Sequence, residues 1–164
     1  MKKLLLMLLM FAPLATFAQK FGHVNANEIM QAMPEFTKAR ADIEALQKQY
    51  EADLKSMQDE IQKKGEAYEK EQATLPANIK ERREKELNEM MQKYQQSVQD
   101  NSQALQKEWN EKLQVITNKV IDAIKSVGQA GNYVYIMDVA SGIPYISTTL
   151  STDVTAEVKK KLGL

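Results

Sequence analysis

From about Glu35 to Gln129 the chain runs for roughly 95 residues with one proline and two glycines, which limits the fold more than anything else in it. Apolar residues recur there every three or four positions among Lys, Glu and Gln. That is the pattern of two very long amphipathic helices, broken once near Leu75-Pro76-Ala77-Asn78. No other segment is large enough to set the architecture. Whatever the chain does must be something a long helical hairpin can do.

The outgoing helix is expected from about Glu35 to Thr74. Its seam reads Phe36, Ala39, Ile43, Leu46, Tyr50, Leu54, Met57, Ile61, Lys64, Tyr68, Glu71 and Leu75. The mean spacing is about 3.5 residues, close to a heptad. The returning helix is expected from about Asn78 to Val127. Its seam reads Ile79, Arg83, Leu87, Met90, Tyr94, Val98, Asn101, Leu105, Trp109, Leu113, Ile116, Val120, Ile124 and Val127. Its spacing is about 3.7, nearer an eleven-residue repeat. Unequal periods argue against one regular left-handed coil along the whole hairpin. The distal end accepts Lys64, Glu71 and Arg83 in the seam and carries Gly65, so it is expected to be looser than the proximal end.

Both flanks of the hairpin read differently. Lys20 to Asn25 is a short strand, and Asn25 or Asn27 offers a cap for a turn of helix from Glu28 to Met33. Pro34 suits the first turn of the long helix. After the hairpin, Gly128 or Gly131 is placed to supply a left-handed cap. Asn132 to Val139 is rich in β-branched and aromatic residues, Ala140-Ser141-Gly142 reads as a turn, and Ile143 to Ser147 as a second strand of a β-hairpin. Ser151-Thr152-Asp153 then offers caps for a short helix ending near Leu162. The fold class is α+β: a long antiparallel α-helical hairpin, the arm, inserted between short β-strands that form a small body. Three short strands bury too little to stand alone, and strands from several chains joined in a shared barrel would cover their edges.

The first residues need a separate reading. Lys2 and Lys3 precede an apolar run from Leu4 to Leu14, and Thr16-Phe17-Ala18 supplies small residues before a cut ahead of Gln19. This predicts a cleaved secretory signal peptide at 1–18 and an exported protein. A body is expected at 19–34 and 128–164, and an arm at 35–127. There is no cysteine, so an exported chain of this kind folds without disulfides, and oligomerisation is the expected supplement to packing. The charge is balanced, with 22 basic and 22 acidic residues, which gives no support to nucleic-acid binding.

No motif in the chain carries catalytic chemistry. His23 is the one histidine, and no nucleophile is tied to it by a motif. No phosphate loop, nucleotide fingerprint or HExxH metal motif occurs, so no catalytic, cofactor-binding or metal residue is assigned and no enzyme or cofactor is expected. Glu44–Lys48, Glu51–Lys55, Asp59–Lys63 and Glu66–Lys70 are i,i+4 pairs of a solvated helix face. Lys80, Arg82, Arg83 and Lys85 cluster near the hairpin tip and form a candidate contact for anionic groups such as lipid head groups. Tyr50, Met57, Tyr68, Met90, Met91 and Tyr94 fill the seam, yet two helices have no third layer to hide both stripes. Adaptable Met and amphipathic Tyr left reachable in an exported protein suggest reversible holding of unfolded chains.

The chain resembles the Skp/OmpH family of periplasmic chaperones over essentially all of its mature length. The resemblance lies in the order of its parts. These are a signal peptide, a strand ending Val24-Asn25, a charged helical hairpin, Tyr133-Val134-Tyr135-Ile136-Met137-Asp138, Pro144-Tyr145-Ile146, and Asp153-Val154-Thr155-Ala156-Glu157-Val158. It implies a homotrimer that pools its strands in one β-body and holds unfolded outer-membrane proteins, without ATP, in a cavity between three arms. It also implies body and interface roles for Phe21, Val24, Val134, Ile136 and Ile143. The family's best-known member is strongly basic and this chain is neutral, so holding here would depend on shape, on Met and Tyr contacts and on local patches. The alternative is a structural or adaptor coiled coil of the envelope that binds one folded partner.

Overall fold

The computed structural model describes residues 19–164, and the signal-peptide expectation falls outside them. The elements in order are β1 (Lys20–Val24), α1 (Ala26–Ala32), α2 (Pro34–Glu71), α3 (Ala77–Ala130), β2 (Tyr133–Asp138), a 3-10 turn (Val139–Ser141), β3 (Ser151–Asp153) and α4 (Thr155–Leu162). The chain divides into two compact units, one holding residues 28–121, the other the described residues up to Asn27 together with 122–164.

The first of these units is the helical hairpin. Pro34 occupies the first turn of α2, where its missing N–H costs nothing. The helix then continues unbroken through Gly65 to Glu71. Thr74 closes the turn by donating through its N–H and its hydroxyl to the Glu71 carbonyl, at 3.0 and 2.9 Å. The Pro76 carbonyl opens the return by accepting from the N–H groups of Ile79 and Lys80. At 54 residues, α3 is about 80 Å long. The helices run antiparallel: Lys119 meets Glu35 at 2.9 Å, Lys112 meets Asp42 at 3.1 Å, and Lys64 meets Glu86 further out. The rings of Phe36 and Trp109 lie 5.9 Å apart across the hairpin. Both seams follow the sequence spacing. Two positions depart from it, Glu71 and Val98, whose side chains are exposed. Ile29, Met33, Ala39, Ile116 and Val120 are the buried residues of this unit.

The other unit holds a three-stranded parallel sheet in the order β2-β1-β3. This corrects the expected β-hairpin. The run from Ile143 to Ser147 forms no strand; β3 lies later, at Ser151–Asp153, and pairs with β1 rather than with β2. Pro144 has no N–H to donate and breaks the candidate ladder, and the chain instead crosses to the far edge of β1. Gly22 makes the centre of the sheet possible, because a Cβ there would lie 3.1 Å from both Ile136 and Tyr133. A second correction concerns the end of α3. Neither Gly128 nor Gly131 supplies a left-handed cap; Asn132 does, at φ 54°, a conformation that Asn tolerates better than most residues.

Val24, Val154 and Val158 are fully buried in this unit, and two carboxylates order the chain around them. Asp138 Oδ1 accepts from the N–H of Ala26, at 3.1 Å, and of Ala140, at 3.0 Å. Asp153 Oδ1 accepts from the N–H and the hydroxyl of Thr155, and Thr155 Oγ1 accepts from the Asn25 N–H at 3.0 Å. The Thr155 hydroxyl bond is the main cause holding the Asp153 carboxyl below its usual range.

Candidate functional site

The expected contact residues lie where two helices must do the work of three. Tyr50, Met57, Tyr68, Met90 and Tyr94 are half-buried, while Met91 turns outward with 46% of its surface exposed. Met57 and Met90 come together, across the hairpin, in a groove of about 230 Å³ shared with Glu60, Ile61, Lys64, Glu86 and Lys93. Its lining thus joins thioether and aliphatic groups to charged ones. Thioethers can accept apolar groups of many shapes, and charged groups can pair with backbone amides or opposite charges. Tyr68 sits further out and donates its hydroxyl to Glu84, the main reason its own pKa is raised.

Charge in the seam is compensated. Lys64 bridges Glu86 on the opposite helix and Glu60, 3.7 Å away, on its own. The hydrogen bond between Lys64 and Glu86 raises the lysine pKa and lowers the glutamate's. The candidate anionic-contact patch is diluted by neighbours. Lys85 lies 3.8 Å from Glu89, Arg83 and Arg82 both act on Glu86, and Lys80 is half-buried. The solvated face also pairs differently from the sequence expectation. Glu44–Lys48 forms at 2.8 Å, but Lys55 takes Asp59, while Glu51 and Glu66 accept from Gln47 and Gln62. Exposed pairs of this kind contribute little stability whichever partner they choose.

In the sheet unit, Phe21 stacks on Tyr135 with ring centroids 4.9 Å apart, and Ile136 is half-buried over Gly22 and Gly128. Val24 is wholly enclosed, Val134 is 57% exposed, and Ile143 lines a groove of about 320 Å³ with Phe21, Tyr135, Met137, Tyr145 and Leu150. Tyr145 and Leu150 expose 78% and 76% of their surface. The sequence reading assigned no role to Tyr135, Met137 or Leu150. The signal was present: Tyr133 to Met137 has no polar alternation, and a strand apolar on both faces needs cover on both. No group of His, Asp and Glu able to hold a metal, and no helix long and apolar enough to cross a membrane, occurs among the described residues.

The hairpin between parallel strands, and the Asp153-Val154-Thr155 knot that closes the sheet unit, give a specific arrangement to compare. A family model described as outer membrane protein (OmpH-like) matches residues 20–162. The chain belongs to the OmpH family. Among curated proteins, it is 24% identical to the chaperone protein Skp of Pectobacterium atrosepticum over 145 residues, covering 88% of this chain and 86% of that protein. It is 26% identical to the chaperone protein Skp of Yersinia enterocolitica, covering 88% and 87%. Among solved structures, an OmpH-like protein of Caulobacter crescentus CB15 superposes with a TM-score of 0.76 at 14% identity, covering 88% of this chain and 83% of that one. That likeness shows the OmpH fold is kept where few residues are.

Proposed function

We propose that this OmpH-family chain is an ATP-independent holdase chaperone of the periplasm. It binds unfolded outer-membrane proteins and keeps them from aggregating. The single observation that carries the reading is the half-open Met57–Met90 groove in a two-helix seam, found in a chain whose curated relatives are named chaperones. Tyr50, Tyr68, Met91 and Tyr94 extend that soft surface toward the client. The functional unit is a homotrimer. Its body, 19–34 and 128–164, pools strands from three chains in a shared barrel, and its arms, 35–127, enclose the client. Phe21, Val134, Ile136 and Ile143 belong to the pooled body, with Val24 inside each chain's share of it. Apolar side chains exposed in the single chain, above all Val134, Tyr145 and Leu150, support this assembly. The chain reaches the periplasm through a signal peptide at 1–18.

The test combines light scattering with an aggregation assay. A trimeric mass and suppressed aggregation of several unrelated urea-unfolded outer-membrane barrels are expected, with no effect of added ATP. A folded monomer that leaves the aggregation unchanged overturns the proposal. Activity toward one folded envelope protein alone would identify an adaptor instead. Lipid contact through Lys80, Arg82, Arg83 and Lys85 is a separate matter, read by flotation with anionic vesicles. Unchanged flotation of the four-fold neutralised variant removes that patch.

A further inference from the structure

The new chain end that export would create falls on a reactive residue in a sensitive place. Thr16-Phe17-Ala18 directs cleavage ahead of Gln19. Gln19 is exposed, and β1 begins at the very next residue, Lys20. β1 is the central strand of the sheet, bonded to β2 on one side and to β3 on the other. Removal of residues as far as Phe21 would take two of the five β1–β2 register pairs, Lys20↔Tyr133 and Phe21↔Tyr135. It would also take one of the three β1–β3 pairs, Phe21↔Ser151, and the ring contact between Phe21 and Tyr135. There is no spacer to be trimmed before the fold itself is attacked, although chain termini are where exopeptidases act.

We propose that Gln19 is a modification site, closed to an N-terminal pyroglutamate lactam in the mature protein. The inference rests on the processing that the periplasmic reading requires. The α-amino nitrogen of Gln19 attacks its own side-chain carboxamide carbon, Cδ. The N–Cδ bond forms, the Cδ–Nε2 bond breaks, and the amine proton leaves with Nε2 as ammonia. A five-membered ring results, nothing is oxidised or reduced, and no co-reactant is consumed. An exposed glutamine can reach the required geometry, and a general acid–base catalyst only accelerates the step. The lactam removes the terminal positive charge and the free amine that an aminopeptidase must grip. The central strand then starts from a blocked end.

Intact-mass and N-terminal peptide mass spectrometry, on full-length-encoded protein taken from its own cells and acid-quenched at harvest, test this. The expected product starts at position 19 and is lighter than the unmodified chain by one ammonia. It resists a broad-specificity aminopeptidase. The control is Gln19→Asn, which would have to close a four-membered ring. It should start at the same position, keep its full mass and be shortened stepwise by the same enzyme. A wild-type chain that starts at Gln19 with a free amine overturns the modification and leaves the processing intact. A chain that starts elsewhere overturns the processing and the modification with it.

Discussion

At the scale of single residues, the sheet unit is held by carboxylates that each serve more than one donor. Asp138 takes backbone N–H groups from two segments far apart in sequence, at Ala26 and Ala140. Asp138→Ala should therefore cost about 1–2 kcal/mol, as the loss of a helix cap does, measured by urea unfolding at fixed chain concentration. A change within experimental error would show that the two donors find other partners. Acid should weaken the protein for a related reason. Glu35 and Glu86 are held below the ordinary glutamate value of 4.5, chiefly by hydrogen bonds from Lys119 and Lys64. A depressed folded pKa means that the unfolded chain binds the proton first. Their contribution is complete above the ordinary value and is lost as pH falls through the folded one. The thermal midpoint should thus drop on titration from pH 7 to about pH 3, and Glu86→Gln should make that drop shallower. An identical acid limb in the variant would remove the Lys64–Glu86 bridge from the account.

At the scale of elements, the helices were legible and the sheet was only partly so, for one reason. A helix buries a face whose period is written in local sequence, so Phe36 to Leu75 and Ile79 to Val127 could be read as two seams. Parallel pairing is not local: nothing near Ser151 announces that its partner is Phe21, 130 positions upstream. The Ile143–Ser147 segment has strand composition, but Pro144 and the crossover to the far edge of β1 decide otherwise. Asn132 was missed as a cap because Gly131 stands beside it and Gly128 one turn before it, and composition favours glycine. Of the candidate site, Met57 and Met90 could be listed from sequence, but only the antiparallel register brings them into one groove. The distal softness inferred from Gly65 has a direct test. A Cβ there meets nothing within 4 Å, so Gly65→Ala adds no clash and should stabilise the hairpin by about 0.5–1 kcal/mol. Thermal unfolding by circular dichroism measures it; destabilisation would mean that the glycine is needed for a bend.

At the scale of the whole molecule, the decisive matter is what covers the apolar side chains that one chain leaves open. Two substitutions separate folding from assembly. Ile136 is half-buried against Gly22 and Gly128, so Ile136→Asp places a charge inside the sheet unit and should disturb both the fold and any oligomer. Tyr145 is 78% exposed, so Tyr145→Asp loses almost nothing in an isolated chain. If the sheet unit is pooled between copies, that exposed ring is covered there, and the new carboxylate meets apolar surface from a neighbour. Tyr145→Asp should then give a chain with wild-type helical ellipticity whose mass in light scattering falls from trimer toward monomer, over a dilution range where the parent stays assembled. Holding activity should fall with it, because a cavity between arms needs more than one arm. A Tyr145→Asp protein that stays trimeric would move the interface away from the Tyr145–Leu150 surface. A monomeric one that still suppresses barrel aggregation would place holding in the single hairpin and its Met57–Met90 groove.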